Sequence, residues 1–108
     1  MIMKKVYFTI TGTKYYNGQD FIKPGMKVQL TKEPDNEYDM EAIKVEMPGL
    51  GQIGHVANSP YTVIGYSISA GRLYDKIKDS AKGTVIHVMP KGVLCNVDKK
   101  SLRKKKKR

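Results

Sequence analysis

The sequence predicts a mainly β fold with a small α insert, a compact antiparallel barrel or sandwich. Three observations carry that prediction. Six short apolar runs rich in β-branched residues stand between Gly, Pro and Asn signals. The strands follow one another too closely for parallel crossovers. A chain of 108 residues has room for one hydrophobic core and no second domain.

Val6-Tyr7-Phe8-Thr9-Ile10 is the first strand, dense in β-branched and aromatic residues and stopped by Thr11-Gly12. Met26-Lys27-Val28-Gln29-Leu30-Thr31 alternates apolar with polar after the turn signal Pro24-Gly25, and Ala42-Ile43-Lys44-Val45-Glu46 alternates until Pro48-Gly49. Gln52-Ile53-Gly54-His55-Val56 is a short fourth strand. The period then changes. Asn58-Ser59-Pro60 offers an N-cap ahead of a first-turn proline, and Val63, Ile64 and Ile68 follow at helical spacing. Gly71 is expected to separate this helix from a second short one carrying Leu73 and Ile77, ended by Ala81-Lys82-Gly83. Thr84-Val85-Ile86-His87-Val88 and, after Pro90-Lys91-Gly92, Val93-Leu94-Cys95-Asn96-Val97 complete a β-β-β-β-α-α-β-β order.

Composition narrows the function. No apolar run approaches the roughly 20 residues of a membrane span, and the start of the chain lacks the apolar stretch of a signal peptide, so the expectation is a soluble cytoplasmic protein, nucleoid-associated in a bacterial source. The single cysteine, Cys95, excludes an internal disulfide and a thiolate zinc site. The net charge is +10, but residues 99–108 hold eight of the 20 basic side chains and none of the ten acidic ones. Residues 1–98 are therefore expected to be the folded domain, nearly neutral at +2, and 99–108 a disordered basic tail. Such a tail serves either as a solubilising end or as a phosphate-binding arm; its charge density favours the arm.

Candidate catalytic patterns fail on inspection. Gly49-Leu50-Gly51-Gln52-Ile53-Gly54 has dinucleotide-motif spacing, but His55-Val56 continues a strand where a phosphate-binding helix would have to begin. A Gly-rich hairpin turn explains it. Glu33, Asp35, Glu37, Asp39 and Glu41 alternate as a cation site might, yet the spacing is not that of a calcium loop and Pro34 interrupts any strand aligning them. His55 and His87 have no second ligand or nucleophile close in sequence. No catalytic residue, metal or cofactor is nominated, and the chain reads as a binding module and not an enzyme.

Two loop clusters are more informative. Lys14-Tyr15-Tyr16-Asn17-Gly18 puts a cation and two rings in the turn after the first strand, the composition of a nucleotide platform, although tyrosines packing over a barrel end would read the same. Glu33-Pro34-Asp35-Asn36-Glu37-Tyr38-Asp39 adds a further loop tyrosine; Asx-turn formation explains Asp35 and Asn36 better than Tyr38 and Asp39.

Taken together and in order, Gly12-x-Lys14-Tyr15-Tyr16-x-Gly18, then Leu30-x-x-Glu33-Pro34-x-Asn36-x-Tyr38-Asp39-x-x-Ala42-Ile43-x-Val45, then Ile53-Gly54-His55-Val56 resemble the HIRAN domain. This module stands at the N-terminus of certain fork-remodelling helicases and also occurs alone in bacteria and phages. The match runs from Tyr7 to about Val97. The resemblance implies an OB-like β-barrel of six strands with two short helices between the fourth and fifth, binding single-stranded DNA and, in characterised members, capturing its 3′-hydroxyl end. On that basis Tyr15 would stack on the terminal base and Lys14, in place of an arginine, would meet the backbone. Tyr16 and Tyr38 would line the pocket with Tyr38 reaching a phosphate, Asp39 would accept a hydrogen bond from the 3′-hydroxyl, and Asn36 and His55 would contact the end or brace the loops. The sequence departs from the family at two points: 84–98 holds no aromatic, with Leu94 in the place of a second stacking ring, and Asn58 stands where a lysine is expected beside the phosphates.

The implied function is a DNA-binding module of repair or replication-fork processing, working beside a helicase or nuclease and compatible with homo-oligomer formation. The residues leave open two alternatives: a protein-interaction or assembly module, and a non-specific nucleic-acid binder acting through the basic tail.

Overall fold

The structure, a computed structural model, describes residues 5–103. Six strands, β1 (Tyr7–Thr11), β2 (Lys27–Lys32), β3 (Ile43–Met47), β4 (Gly51–Val56), β5 (Ser80–Met89) and β6 (Gly92–Val97), close into a barrel in the order β1-β4-β3-β2-β5-β6. Every pairing is antiparallel, and β6 returns to β1 through Tyr7↔Asn96 and Phe8↔Cys95. Closure leaves no free sheet edge.

The two-residue period places Phe8 and Ile10, Val28 and Leu30, Ile43 and Val45, and Val93, Cys95 and Val97 inside, all buried in one core cluster. Register shifts at Val45/Glu46 and Val85/His87 bend β3 and β5 around that core. The β1–β4 seam is short, with Ile10↔Val56 and Thr11↔His55 as partners. Gly54 is what lets it close. A Cβ there would lie 2.6 Å from the Thr11 carbonyl oxygen and 2.8 Å from Ile10 Cγ2, so no larger residue fits without moving β1.

Five strands lie within a residue of their expected bounds, and three expectations need correction. The first helix, over 58–68, does not form. Ser59 starts one turn, accepting from the Thr62 and Val63 N–H groups, but Gly65 then takes φ +55° and the chain is drawn back to the barrel, where the Ile68 N–H donates to the Tyr7 carbonyl. Val63, Ile64 and Ile68 are half-buried because this segment lies across β1, held by buried Thr9, whose Oγ1 lies 2.7 Å from Ser67 Oγ and accepts from the Ile64 N–H at 3.1 Å. The one helix among the described residues is α1 (Ala70–Tyr74), capped by Ser69, and Gly71 sits inside it instead of separating two helices. Ala81-Lys82-Gly83 belongs to β5 and pairs with Val28–Leu30.

A fourth expectation, disorder from residue 99 onward, fails over 99–103. A 3₁₀ turn, η2 (Lys99–Ser101), and a bridge between Leu102 and Ile77 continue the ordered chain to Arg103. The remaining basic run, 104–108, lies outside the described residues. The glycine-rich motif at 49–54 is the β3–β4 turn leading into β4, as the strand residues His55-Val56 after it suggested.

Candidate nucleic-acid interface

The seam between β1 and β4 links the loops that the sequence singled out, through His55 beside Thr11 and Lys44. After β1, Gly12 adopts φ +76°, a left-handed conformation that costs glycine little, and turns the chain into a 3₁₀ turn, η1 (Thr13–Tyr15). Thr13 is buried beneath this turn; its carbonyl accepts from the Tyr16 and Gly18 N–H groups, and its hydroxyl donates to Gln19 Oε1 at 3.0 Å. Gln19 in turn donates to the Met89 carbonyl at the end of β5. The tyrosine turn is thus fixed to both β1 and β5.

Its two rings part company. Tyr16 turns to β4, its centroid 6.5 Å from that of His55 and tilted by 51°. Tyr15 remains 76% exposed, with Lys14 Nζ 5.2 Å from its ring centroid in cation–π geometry. Tyr15 and Lys14 wall a groove of about 580 Å³ whose far side is Thr62 and the β5–β6 turn, Pro90-Lys91-Gly92. Two lysines and no carboxylate line it.

His55 joins the tyrosine turn to the β2–β3 loop. Its Nε2 lies 2.9 Å from Glu33 Oε1, and because a carboxylate only accepts, Nε2 carries the proton of that bond. Within the loop, Asn36 Oδ1 accepts from the Tyr38 and Asp39 N–H groups at 2.9 and 3.0 Å, an Asx turn that sets where Asp39 points. Asp39 Oδ1 accepts from the Glu41 N–H and Oδ2 from Asn58 Nδ2, both at 2.9 Å, which leaves each oxygen a further lone pair for an outside donor. Asn58 bridges onward, accepting the Gly71 N–H of α1 at 2.8 Å. Tyr16, Asn36, Asp39, His55 and Asn58 therefore form one braced cluster. Tyr38 does not join it, since its ring is 90% exposed.

This arrangement positions donors, acceptors and rings. Cys95 is buried, and loss of solvation pushes its thiol well above the ordinary range, which holds it protonated and unreactive. Among the described residues no group of three or more His, Cys, Asp and Glu is placed to hold a metal, and Glu33 and Asp39, from the alternating acidic run, are turned to His55 and Asn58. No described helix is long and apolar enough to cross a membrane.

The family model that matches the chain is the HIRAN domain, over residues 3–99. The chain belongs to the HIRAN domain family. HIRAN domains are DNA-binding modules, binding rather than catalytic. Two solved structures share the fold. A protein from Lactobacillus plantarum is 20% identical at a TM-score of 0.58, with 87% of this chain and 93% of that one covered. The HIRAN domain of human HLTF is 21% identical at a TM-score of 0.56, covering 86% and 74% respectively. Among curated proteins none matches the chain.

Within this HIRAN barrel, the half-buried Leu94 pairs with Thr9 and His87. Asn58 is a neutral bridge between Asp39 and α1. Glu33 as the partner of His55, and Thr62 and Lys91 as groove residues, were not singled out in the sequence. Glu33 sat in a run of acids that looked uniform, and only the turn signal around Lys91 hinted at its place.

Proposed function

We propose that this HIRAN domain captures the 3′-hydroxyl end of single-stranded DNA. The observation that carries the reading is the braced cluster at the β1–β4 seam: a carboxylate with unused lone pairs, Asp39, held by Asn36 and Asn58 in the loop whose Glu33 meets His55, the partner of Tyr16, with the exposed Tyr15 ring one residue before Tyr16. Tyr15 offers a face for the terminal base, Lys14 and Lys91 meet phosphates along the groove, and Asp39 accepts the hydrogen bond of the terminal hydroxyl. Tyr38, free in solution, folds onto the strand and reaches a phosphate. Asn36, His55 and Asn58 hold the loops in register. The groove volume lies within the range of small-ligand sites and suits a nucleotide or two.

Discrimination follows from charge. A terminal phosphate loses the hydrogen bond to a charged acceptor, about 1.5–3 kcal/mol, and meets Asp39 as a like charge. A binding module with this chemistry acts in DNA repair or fork processing beside an enzyme such as a helicase or nuclease. Fluorescence anisotropy with oligonucleotides ending in a 3′-hydroxyl, ending in a 3′-phosphate, or lacking a free end tests the reading. Preference for the hydroxyl is expected, and equal affinity for all three refutes end capture.

A further inference from the structure

The start of the basic block is built onto β5 at the end away from the Tyr15 groove. Ser101 Oγ accepts the Lys82 N–H at 2.8 Å, the Asp98 N–H donates to the Lys82 carbonyl at 2.9 Å, and the Arg103 N–H donates to the Lys76 carbonyl at 2.7 Å. Leu102 is half-buried against the core. These bonds give η2 a fixed place on β5. Two shallow grooves, of about 610 and 700 Å³, flank it and share Lys100 and Ser101. Lys27, Lys78, Lys82, Lys99, Lys100 and Arg103 line them. The one carboxylate lining them, Asp98, is engaged by Lys27 Nζ at 3.2 Å and by Thr84 Oγ1 at 2.8 Å; Asp79 adjoins Lys78 in the chain.

We propose that this face is a second nucleic-acid contact, gripping the phosphodiester backbone of the strand whose end occupies the tyrosine site. Its composition fits a polyanion and nothing that reads bases: cations on a backbone-fixed scaffold, with no aromatic ring in either groove lining. From Lys82 to Met89, β5 rises about 23 Å at about 3.3 Å per residue, so this face and the Tyr15 groove are a strand-length apart along one wall of the barrel. A ligand must be long to touch both. The placement of the strand's end rests on the 3′-end reading; the phosphate contact itself does not.

The test is binding of two 3′-hydroxyl oligonucleotides to the full chain: one of about 5 nucleotides, enough for a single OB-sized site, and one of about 25. In the variant carrying Lys78→Gln, Lys82→Gln, Lys99→Gln and Lys100→Gln, four lost phosphate contacts on a single strand lower the salt slope for the long ligand by about 3, so that affinity falls about 50-fold less than in the parent over a fourfold rise in salt. The short ligand is unaffected. An unchanged long-ligand slope overturns the proposal, and so does equal weakening of both ligands. Tyr15→Ala distinguishes the two readings: loss of the short ligand with the far-face effect intact supports both, whereas no loss from Tyr15→Ala alongside a large far-face effect sinks end capture and leaves this contact standing. All four lysines are exposed, so the melting temperature stays at the parent value. Should it fall, the pair Lys99→Gln and Lys100→Gln carries the same test at half the slope change.

Discussion

Gly54→Ala tests how the barrel sets the site. At a position where alanine's backbone is permitted, the exchange stabilises by about 0.4–1 kcal/mol, because the unfolded chain loses freedom. Gly54 has an ordinary φ, so that gain is available. Against it stands the added Cβ, 2.6 Å from the Thr11 carbonyl oxygen and 2.8 Å from Ile10 Cγ2. Neither neighbour is the end of a flexible chain: one is backbone, and the other belongs to a fully buried side chain. Overpacking of this kind costs about 1–3 kcal/mol, so the clash wins and leaves a net loss of about 1–2 kcal/mol. For a domain of this size that lowers Tm by about 4–16 °C. Relief of the clash moves Thr11 away from His55, and Thr11 leads directly into the turn carrying Tyr15 and Tyr16. DNA affinity measured well below the variant's Tm is expected to fall as well. Calorimetry and anisotropy on one preparation read both effects. A variant that melts within a degree of the parent refutes the close-seam argument.

Gly71→Ala gives the opposite sign: its Cβ meets Glu41 Oε1 at 2.6 Å, the end of an exposed side chain that can swing away, and alanine gains about 1 kcal/mol of helix propensity, so Tm holds or rises. Tyr15→Ala removes an exposed ring and leaves Tm unchanged, but loses about 1–3 kcal/mol of stacking, a 5- to 150-fold drop in oligonucleotide affinity by titration. Cys95 resists alkylation in the folded chain at pH 8 and reacts once denaturant opens the barrel; because burial raises its folded pKa, its stabilising share is present below about pH 8.5 and is lost as pH rises, which denaturation across pH 7–10 reads against Cys95→Ala.

The strands were legible because period-two alternation and Gly or Pro stops are local signals, as in Val28/Leu30 and Ile43/Val45. The helix over 58–68 was misread because Val63, Ile64 and Ile68 are apolar for a different reason: they cover the outer face of β1. What decides their conformation is Thr9 meeting Ser67, partners 58 residues apart. Ala81-Lys82-Gly83 has weak strand propensity and becomes β5 through its pairing with β2. At the site, the ring pair and the Asn36 turn announce themselves by composition. The bonds that brace them, His55 to Glu33 and Asn58 to Asp39, join segments that only barrel closure brings together. In the basic block, the one apolar residue, Leu102, packs against the core and bridges to Ile77, a contact that the charge run around it conceals.

The central claim is recognition of a free 3′-hydroxyl, and competition between one oligonucleotide bearing a 3′-hydroxyl and the same sequence bearing a 3′-phosphate tests it most directly. The Asp39 geometry predicts about 10- to 150-fold preference for the hydroxyl, the affinity equivalent of the charge-assisted hydrogen bond lost. Equal competition by the two, in a chain that binds both, contradicts the account.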